Sequence, residues 1–191
     1  MKYDEIIKSV DNKNYLNLYF LCGEENYYID KISNHISNKI LNDEEKSFNQ
    51  VILYGKEIGY NDITSEAKQY PFGAENRVVI IKEAQHIRNI EGIDEYLKNP
   101  LSSTILVICY KKKIDKRKKF FKNIIKNNQL FESNKLYENQ VSNWIKNYVH
   151  EMPSKAESLV IGISGGIDSS VSSTLSAMTG LKTIVLSMKT P

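Results

Sequence analysis

Cysteine is scarce in this chain of 191 residues: it has only Cys22 and Cys109, so no disulfide framework is expected. Both lie in apolar runs that read as buried strands, and a reducing cytoplasm is the natural compartment. Missing as well is any apolar run near the roughly 20 residues a membrane helix needs, so no membrane partner is expected. The opening MKYDEIIKSVDNKN is polar and acidic within its first turns, so a secretory signal is not expected. Nor does one sign of charge dominate; a net charge of +3 is too small to mark a nucleic-acid binder by itself. Internal repeats and low-complexity segments are absent from the sequence. At 41% apolar and 26% charged, the composition is that of a soluble globular protein, long enough for one ordinary domain and a fragment of another.

Apolar runs and helical stripes alternate along the chain. Tyr15 to Leu21 (YLNLYFL) is a strand candidate ending at Gly23, and NYYIDKISNHISNKIL then places Ile29, Ile32, Ile36 and Ile40 on one helical face. Phe48 to Tyr54 (FNQVILY) reads as a second strand closed by Gly55. A short helix from about Asp62 to Tyr70 is expected to stop at Pro71, which disfavours helical geometry in the residue before it. Arg77 to Ile81 (RVVII) and Ser103 to Tyr110 (STILVICY) are further buried strands, rich in β-branched residues, with a short helical stretch ending at Pro100 between them. Lys116 to Asn127 carries Phe120, Phe121, Ile124 and Ile125 as a helical stripe, and Leu130–Phe131 is a short strand. Val141, Trp144, Ile145, Tyr148 and Val149 again repeat at helical spacing. Strands alternating with helices predict an α/β fold, a parallel sheet covered on both faces.

At His150–Pro153 the character changes from Lys, Asn and Tyr to Ser, Gly and small residues. The tail reads as strand (Leu159–Ile163), glycine loop, helix (Ser169–Met178) and strand (Thr183–Met188), a single βαβ unit too short to bury a core alone. The expected organisation is a first domain over 1–137, a connecting amphipathic helix over 138–149 and a truncated βαβ segment over 150–191.

A nucleotide-binding α/β domain should follow its first strand with a loop such as GxxxxGK[ST], whose backbone N–H groups and lysine hold phosphates. Here the strand feeds Cys22-Gly23-Glu24-Glu25-Asn26-Tyr27-Tyr28: one glycine, no lysine, and two carboxylates that repel phosphate. No cofactor is therefore expected for residues 1–149, and a scaffold without its usual ligand suggests a binding role.

The strings LYFLCGEENYYIDKI, EAKQYPFGAENRVVIIKEAQHI, STILVICYKKKIDKRKK and FESNKLYENQVSNWI, in that order, resemble the N-terminal domain of the bacterial DNA polymerase III delta subunit over residues 1–149. The resemblance implies an AAA+/RecA-like core that has lost its ATP site and that binds and opens the sliding clamp, the ring-shaped beta subunit. It also implies other clamp-loader subunits as partners of the full-length family, although the collar domain that joins them is missing here. The family's main clamp contact is an apolar pair before a central strand. The matching positions are Pro71 and Phe72 in YPFG, and relatives often carry a leucine-like residue where Pro71 stands. Gly73 permits a tight turn that presents Phe72 outward; the alternative is that Phe72 plugs its own core.

Lys111, Lys112, Lys113, Lys116, Arg117, Lys118 and Lys119 form a basic run. They are candidate contacts to DNA phosphates; the alternative is a solvated loop and helix start. No aromatic side chains interleave with these lysines, so a stacking platform for single strands is not expected.

In LVIGISGGIDSS an apolar strand delivers Ser164, Gly165 and Gly166 into a turn, and Asp168, Ser169 and Ser170 open a helix. Glycine N–H groups, hydroxyls and a helix N-terminus together suit an anion. The motif is similar to the SGGxDS loop of ATP pyrophosphatases, an adenine-nucleotide alpha-hydrolase-like fold. With SSTLSAMTGLKTIVLSM it resembles the NAD synthetases, which use ATP and ammonia to amidate deamido-NAD. That likeness implies ATP and magnesium at 164–170, with Asp168 near the metal. A plain glycine turn is the alternative. Val141–Val149 fits both families, as a crossover between two genes or an assembly artefact would produce. The remaining strands and pocket of a synthetase are not encoded, so catalysis is not expected.

Overall fold

The computed structural model describes residues 1–134 together with the backbone of two strands, Ser158–Ile163 and Lys182–Ser187. By contacts the chain divides into two units, Met1–Lys135 and Leu136–Pro191.

The first unit opens with helix α1 (Tyr3–Asp11), which the sequence reading did not anticipate, and strand β1 (Leu18–Gly23). Helices α2 (Asn26–Lys39) and α3 (Asp43–Asn49) then lead to β2 (Gln50–Tyr54). Helix α4 (Tyr60–Ala67) precedes β3 (Arg77–Lys82). Two 3-10 turns (Ala84–His86 and Ile90–Ile93) and the short α5 (Asp94–Leu97) connect to β4 (Thr104–Tyr110). Helix α6 (Lys119–Lys126) and β5 (Leu130–Ser133) follow. The five strands are all parallel, in the order β2-β3-β4-β1-β5. This is the expected α/β fold with a doubly covered parallel sheet.

Side chains alternate across a strand, and the alternation divides the interior in two. Leu18, Phe20 and Cys22 join Val79, Ile81, Leu106 and Ile108 beneath α4, the 3-10 turns and α6. Tyr19 and Leu21 join Val78, Ile80, Ile105, Val107 and Cys109 beneath α1 and α2. Buried on both faces, β1, β3 and β4 are near-continuous apolar runs. Helix α2 buries Ile29, Ile32 and Ile36, and α6 buries Phe120, Phe121 and Ile124, both of its rings packing edge-on against Phe20. Ile125, expected in that stripe, is exposed instead.

Several boundaries depart from expectation: β1 begins at Leu18 rather than Tyr15 and α5 ends at Leu97 before Pro100, and three others have a visible cause. Phe48 lies in the last turn of α3, not in a strand, because Asn42 and Glu45 form a reciprocal capping box that starts a helix at Asp43. Helix α4 stops at Ala67, before Pro71 acts, because the Glu66 carbonyl takes the Gln69 N–H and the Arg77 guanidinium rather than a helical Tyr70 N–H. Helix α6 starts at Lys119, not Lys116, because the Asp115 carbonyl and carboxylate bind Lys118 and Arg117 in a preceding turn.

In the second unit β6 (Ser158–Ile163) and β7 (Lys182–Ser187) pair in parallel, with Ser158 opposite Lys182 and Ile163 opposite Ser187. Parallel neighbours need a crossover connection, as a βαβ reading requires. The glycine loop, the helix expected over Ser169–Met178 and the connecting helix over 138–149 lie outside the described residues.

Candidate functional site

Open parallel sheets bind ligands at the carboxyl ends of their strands, where the strand order reverses. In this order the reversal falls at β1: its own connection runs toward β2, whereas that of β4 runs the other way to β5. The loop at Gly23–Tyr28 therefore occupies the position of a phosphate cradle, but the N–H groups of Gly23, Glu24 and Tyr27 already have partners. Gly23 N–H donates to the Lys112 carbonyl at 3.1 Å and Glu24 N–H to the Ser133 carbonyl at 3.1 Å. The Glu25 carboxylate caps α2 by accepting from Tyr27 N–H at 3.2 Å. The Ser133 hydroxyl closes the loop by donating to the Glu25 carbonyl at 2.8 Å. Gly23 has φ +126°, and a Cβ there would come within 2.0 Å of the Ser133 carbonyl oxygen, so the loop is pressed onto β5.

Carboxylates lace the same edge to the basic run. Lys111 pairs with Asp30 at 2.7 Å, Lys113 with Glu24 at 2.9 Å and Lys116 with Glu132 at 2.6 Å. Arg117 grips Asp115 and holds that carboxyl down at about 2, while Glu91 at 2.5 Å raises the Lys118 ammonium. Of the candidate DNA contacts only Lys112 and Lys119 have no carboxylate partner among the described residues. The run as a whole is largely compensated.

The opposite edge, at the amino ends of β2 and β3, is different. Here Tyr70, Phe72 and Phe48 are 77%, 74% and 66% exposed, and the Phe48 and Phe72 rings lie 5.7 Å apart. Pro71 is half-buried behind them. The backbone beneath is fixed by polar side chains that are themselves buried. Asn49, fully buried, accepts from Phe72 N–H at 2.7 Å and donates to the Phe72 carbonyl at 2.9 Å. Arg77, 5% exposed, donates to the Phe48 and Glu66 carbonyls, to the Glu66 carboxylate at 2.6 Å and to Gln69 at 2.9 Å. Gly73, at φ +63°, turns the chain just after Phe72. A broad recess of about 1200 Å³ opens beside this loop, lined in part by Asn42, Glu45, Gly73 and Glu75.

Of the sequence-derived candidates, Pro71 and Phe72 thus fall on one exposed loop, and the basic residues gather at the other end of the sheet. Ser164, Gly165, Gly166, Asp168, Ser169 and Ser170 lie outside the described residues. Sequence reading missed Phe48, Asn49 and Arg77. A capping box ahead of Phe48 was the available signal for the first; nothing local marks the pairing of Asn49 with Phe72, which are 23 positions apart. Among the described residues no cluster of His, Cys, Asp and Glu suits a metal, and no helix is long and apolar enough to cross a membrane.

These features define a class first: a parallel α/β domain with helices on both faces, in which the loop after the first strand is bonded to its own neighbouring strands. The family model for DNA polymerase III, delta subunit, matches residues 19–151. The chain belongs to that family. It is 24% identical over 168 residues to DNA polymerase III subunit delta of Bacillus subtilis (strain 168), covering 80% of this chain and 48% of that one. The chain therefore spans about half the length of this curated relative. Among solved structures, the DNA clamp loader delta protein of Bacillus subtilis superposes with a TM-score of 0.68 at 19% identity, over 96% of this chain and 60% of that one. A DNA polymerase III gamma subunit-related protein of Thermotoga maritima does so with a TM-score of 0.50 at 12% identity, over 77% and 50%. The family model for NAD synthase matches residues 137–191, so the two models overlap over 137–151.

Proposed function

We propose that the first unit is a sliding-clamp contact and is not itself catalytic. Phe72, flanked by Pro71, enters an apolar pocket on the clamp ring, and the neighbouring Phe48 ring widens the contact. The observation that carries this reading is an aromatic ring 74% exposed on a loop whose backbone is held by buried polar groups. A ring already fixed in place loses little conformational freedom on docking, and aromatic anchors of this kind commonly carry about 2 kcal/mol or more of binding. The partnered N–H groups of Gly23, Glu24 and Tyr27 support a unit that works without a nucleotide of its own. Its setting is the cytoplasm, beside DNA and the other loader subunits. The test is retention of the clamp on immobilised chain. Phe72→Ala is expected to weaken retention by about thirtyfold, and unchanged retention would count against the reading.

The NAD synthase match and the parallel pairing of β6 with β7 favour a separate reading for the second unit. There Ser164, Gly165, Gly166, Ser169 and Ser170 hold the pyrophosphate of ATP, with Asp168 toward magnesium. Isothermal titration of ATP and magnesium into the chain tests it: heat lost in Gly165→Val supports the site, and absence of any binding heat removes it.

A further inference from the structure

Asn49 is fully buried, yet its amide makes three hydrogen bonds, two of them to a residue whose side chain stands in solvent. Its Oδ1 accepts from Phe72 N–H at 2.7 Å. Its Nδ2 donates to the Phe72 carbonyl at 2.9 Å and to the Glu45 carbonyl at 3.2 Å, within its own helix. Both peptide groups of Phe72 are thus read by one side chain, much as a neighbouring strand would read them. Oδ1 and Nδ2 also lock the amide's orientation, because a flipped amide would set donor against donor and acceptor against acceptor.

We propose that Asn49 is a positioning residue for the Phe72 anchor: it holds the loop in the one conformation in which that ring projects outward, ready to dock. The proposal rests on the reading that Phe72 enters the clamp. Arg77 supports the same arrangement from the other side by fixing Phe48 and the end of α4. Without Asn49 the Phe72 peptide groups turn to water, the loop samples other conformations, and apparent affinity falls by the fraction that remains competent. Losing two such bonds reduces clamp affinity by about tenfold.

A double-mutant cycle on the full chain separates this role from general stabilisation. Clamp affinity is measured for the parent, Asn49→Ala, Phe72→Ala and the double variant. Expected is a roughly tenfold loss for Asn49→Ala in the parent and no further loss when Phe72→Ala is already present. Equal losses in both backgrounds, or parent-like affinity for Asn49→Ala beside a weakened Phe72→Ala, would overturn the positioning role alone. Parent-like affinity for Phe72→Ala would instead remove the docking reading beneath it. Should Asn49→Ala fail to fold, hydrogen exchange on the unaltered chain decides. A slowly exchanging Phe72 amide supports the proposal, and exchange at the rate of an unprotected loop amide overturns it.

Discussion

Burying a phenylalanine ring stabilises a fold by about 1.5–3 kcal/mol, and the loop that carries Phe72 forgoes that gain. Gly73 helps to enforce the choice. Its φ of +63° is left-handed, yet a Cβ built there meets nothing within 4 Å, so conformation and not space limits the position. Asparagine tolerates this region and a β-branched residue does not. Gly73→Asn is therefore expected to leave the thermal midpoint and clamp retention near their parent values. Gly73→Val is expected to destabilise by about 1–2 kcal/mol and to weaken retention as the loop re-routes; equal behaviour of the two variants in both assays would contradict the argument. The cysteines make a separate point at this scale. Burial pushes the Cys22 thiol up to about 12, with Glu132 adding to the rise, and burial raises Cys109 too. A thiol that keeps its proton when folded but loses it near 9 when unfolded stabilises the fold below pH 9, and that stability drains away as pH climbs toward 12. The unfolding free energy from urea titration is expected to fall between pH 9 and 12, by about 1.4 kcal/mol per pH unit for Cys22. Cys22→Ala should flatten much of that slope, although its cavity lowers stability at every pH; an unchanged slope would assign the effect elsewhere.

Between residues and whole domain stand the junctions of elements, and Arg77 is the clearest of them. From the first position of β3 it reaches the end of α3 through the Phe48 carbonyl and the end of α4 through Glu66 and Gln69. A planar fork with several donors suits this task, and a single ammonium does not. Arg77→Lys is expected to lower stability by about 1–3 kcal/mol and to weaken clamp retention, because the platform beneath Phe48 and Phe72 loosens. Element interiors were legible in the sequence, since β1, β3, β4 and α2 show their periodicity locally. Their ends were not. Helix α4 stops where Arg77, eleven residues past Glu66, takes a carbonyl from it, and Phe48 reads as part of a strand until the capping box at Asn42–Glu45 is weighed. The basic run shows the same limit. Its density is visible, but the carboxylates that answer it come from β1's loop, α2, a 3-10 turn and β5. With only Lys112 and Lys119 uncommitted, duplex DNA binding through this run is expected to fall with salt at a log–log slope near −2. A slope near −6, as all seven basic residues would give, would show that the ion pairs open on DNA.

For the molecule as a whole, the lack of a GxxxxGK[ST] pattern at Gly23–Tyr28 is legible in the sequence, because backbone donors and a lysine are a local requirement. The strand order could not, because β1 lies between β4 and β5, partners that arrive roughly a hundred residues later. That order has a physical consequence. Among the described residues, the buried members of both interior clusters lie between Ile6 and Phe131, and all five strands of the sheet end by Ser133. The Met1 ammonium even donates to the Leu130 carbonyl at 3.1 Å, tying the start of the chain to the final strand of the sheet. Among the described residues, this sheet and its two cores are supplied by the first unit, and we expect residues 1–135 to carry its folding free energy. A chain ending at Lys135 is expected to unfold in a single cooperative transition, with a midpoint close to that of the corresponding transition in the full chain. It should also retain the clamp with parent affinity and the same sensitivity to Phe72→Ala. A broad, non-cooperative melt would mean that the second unit completes the first. Intact folding with lost clamp binding would move the contact out of the Phe72 loop and beyond residue 135.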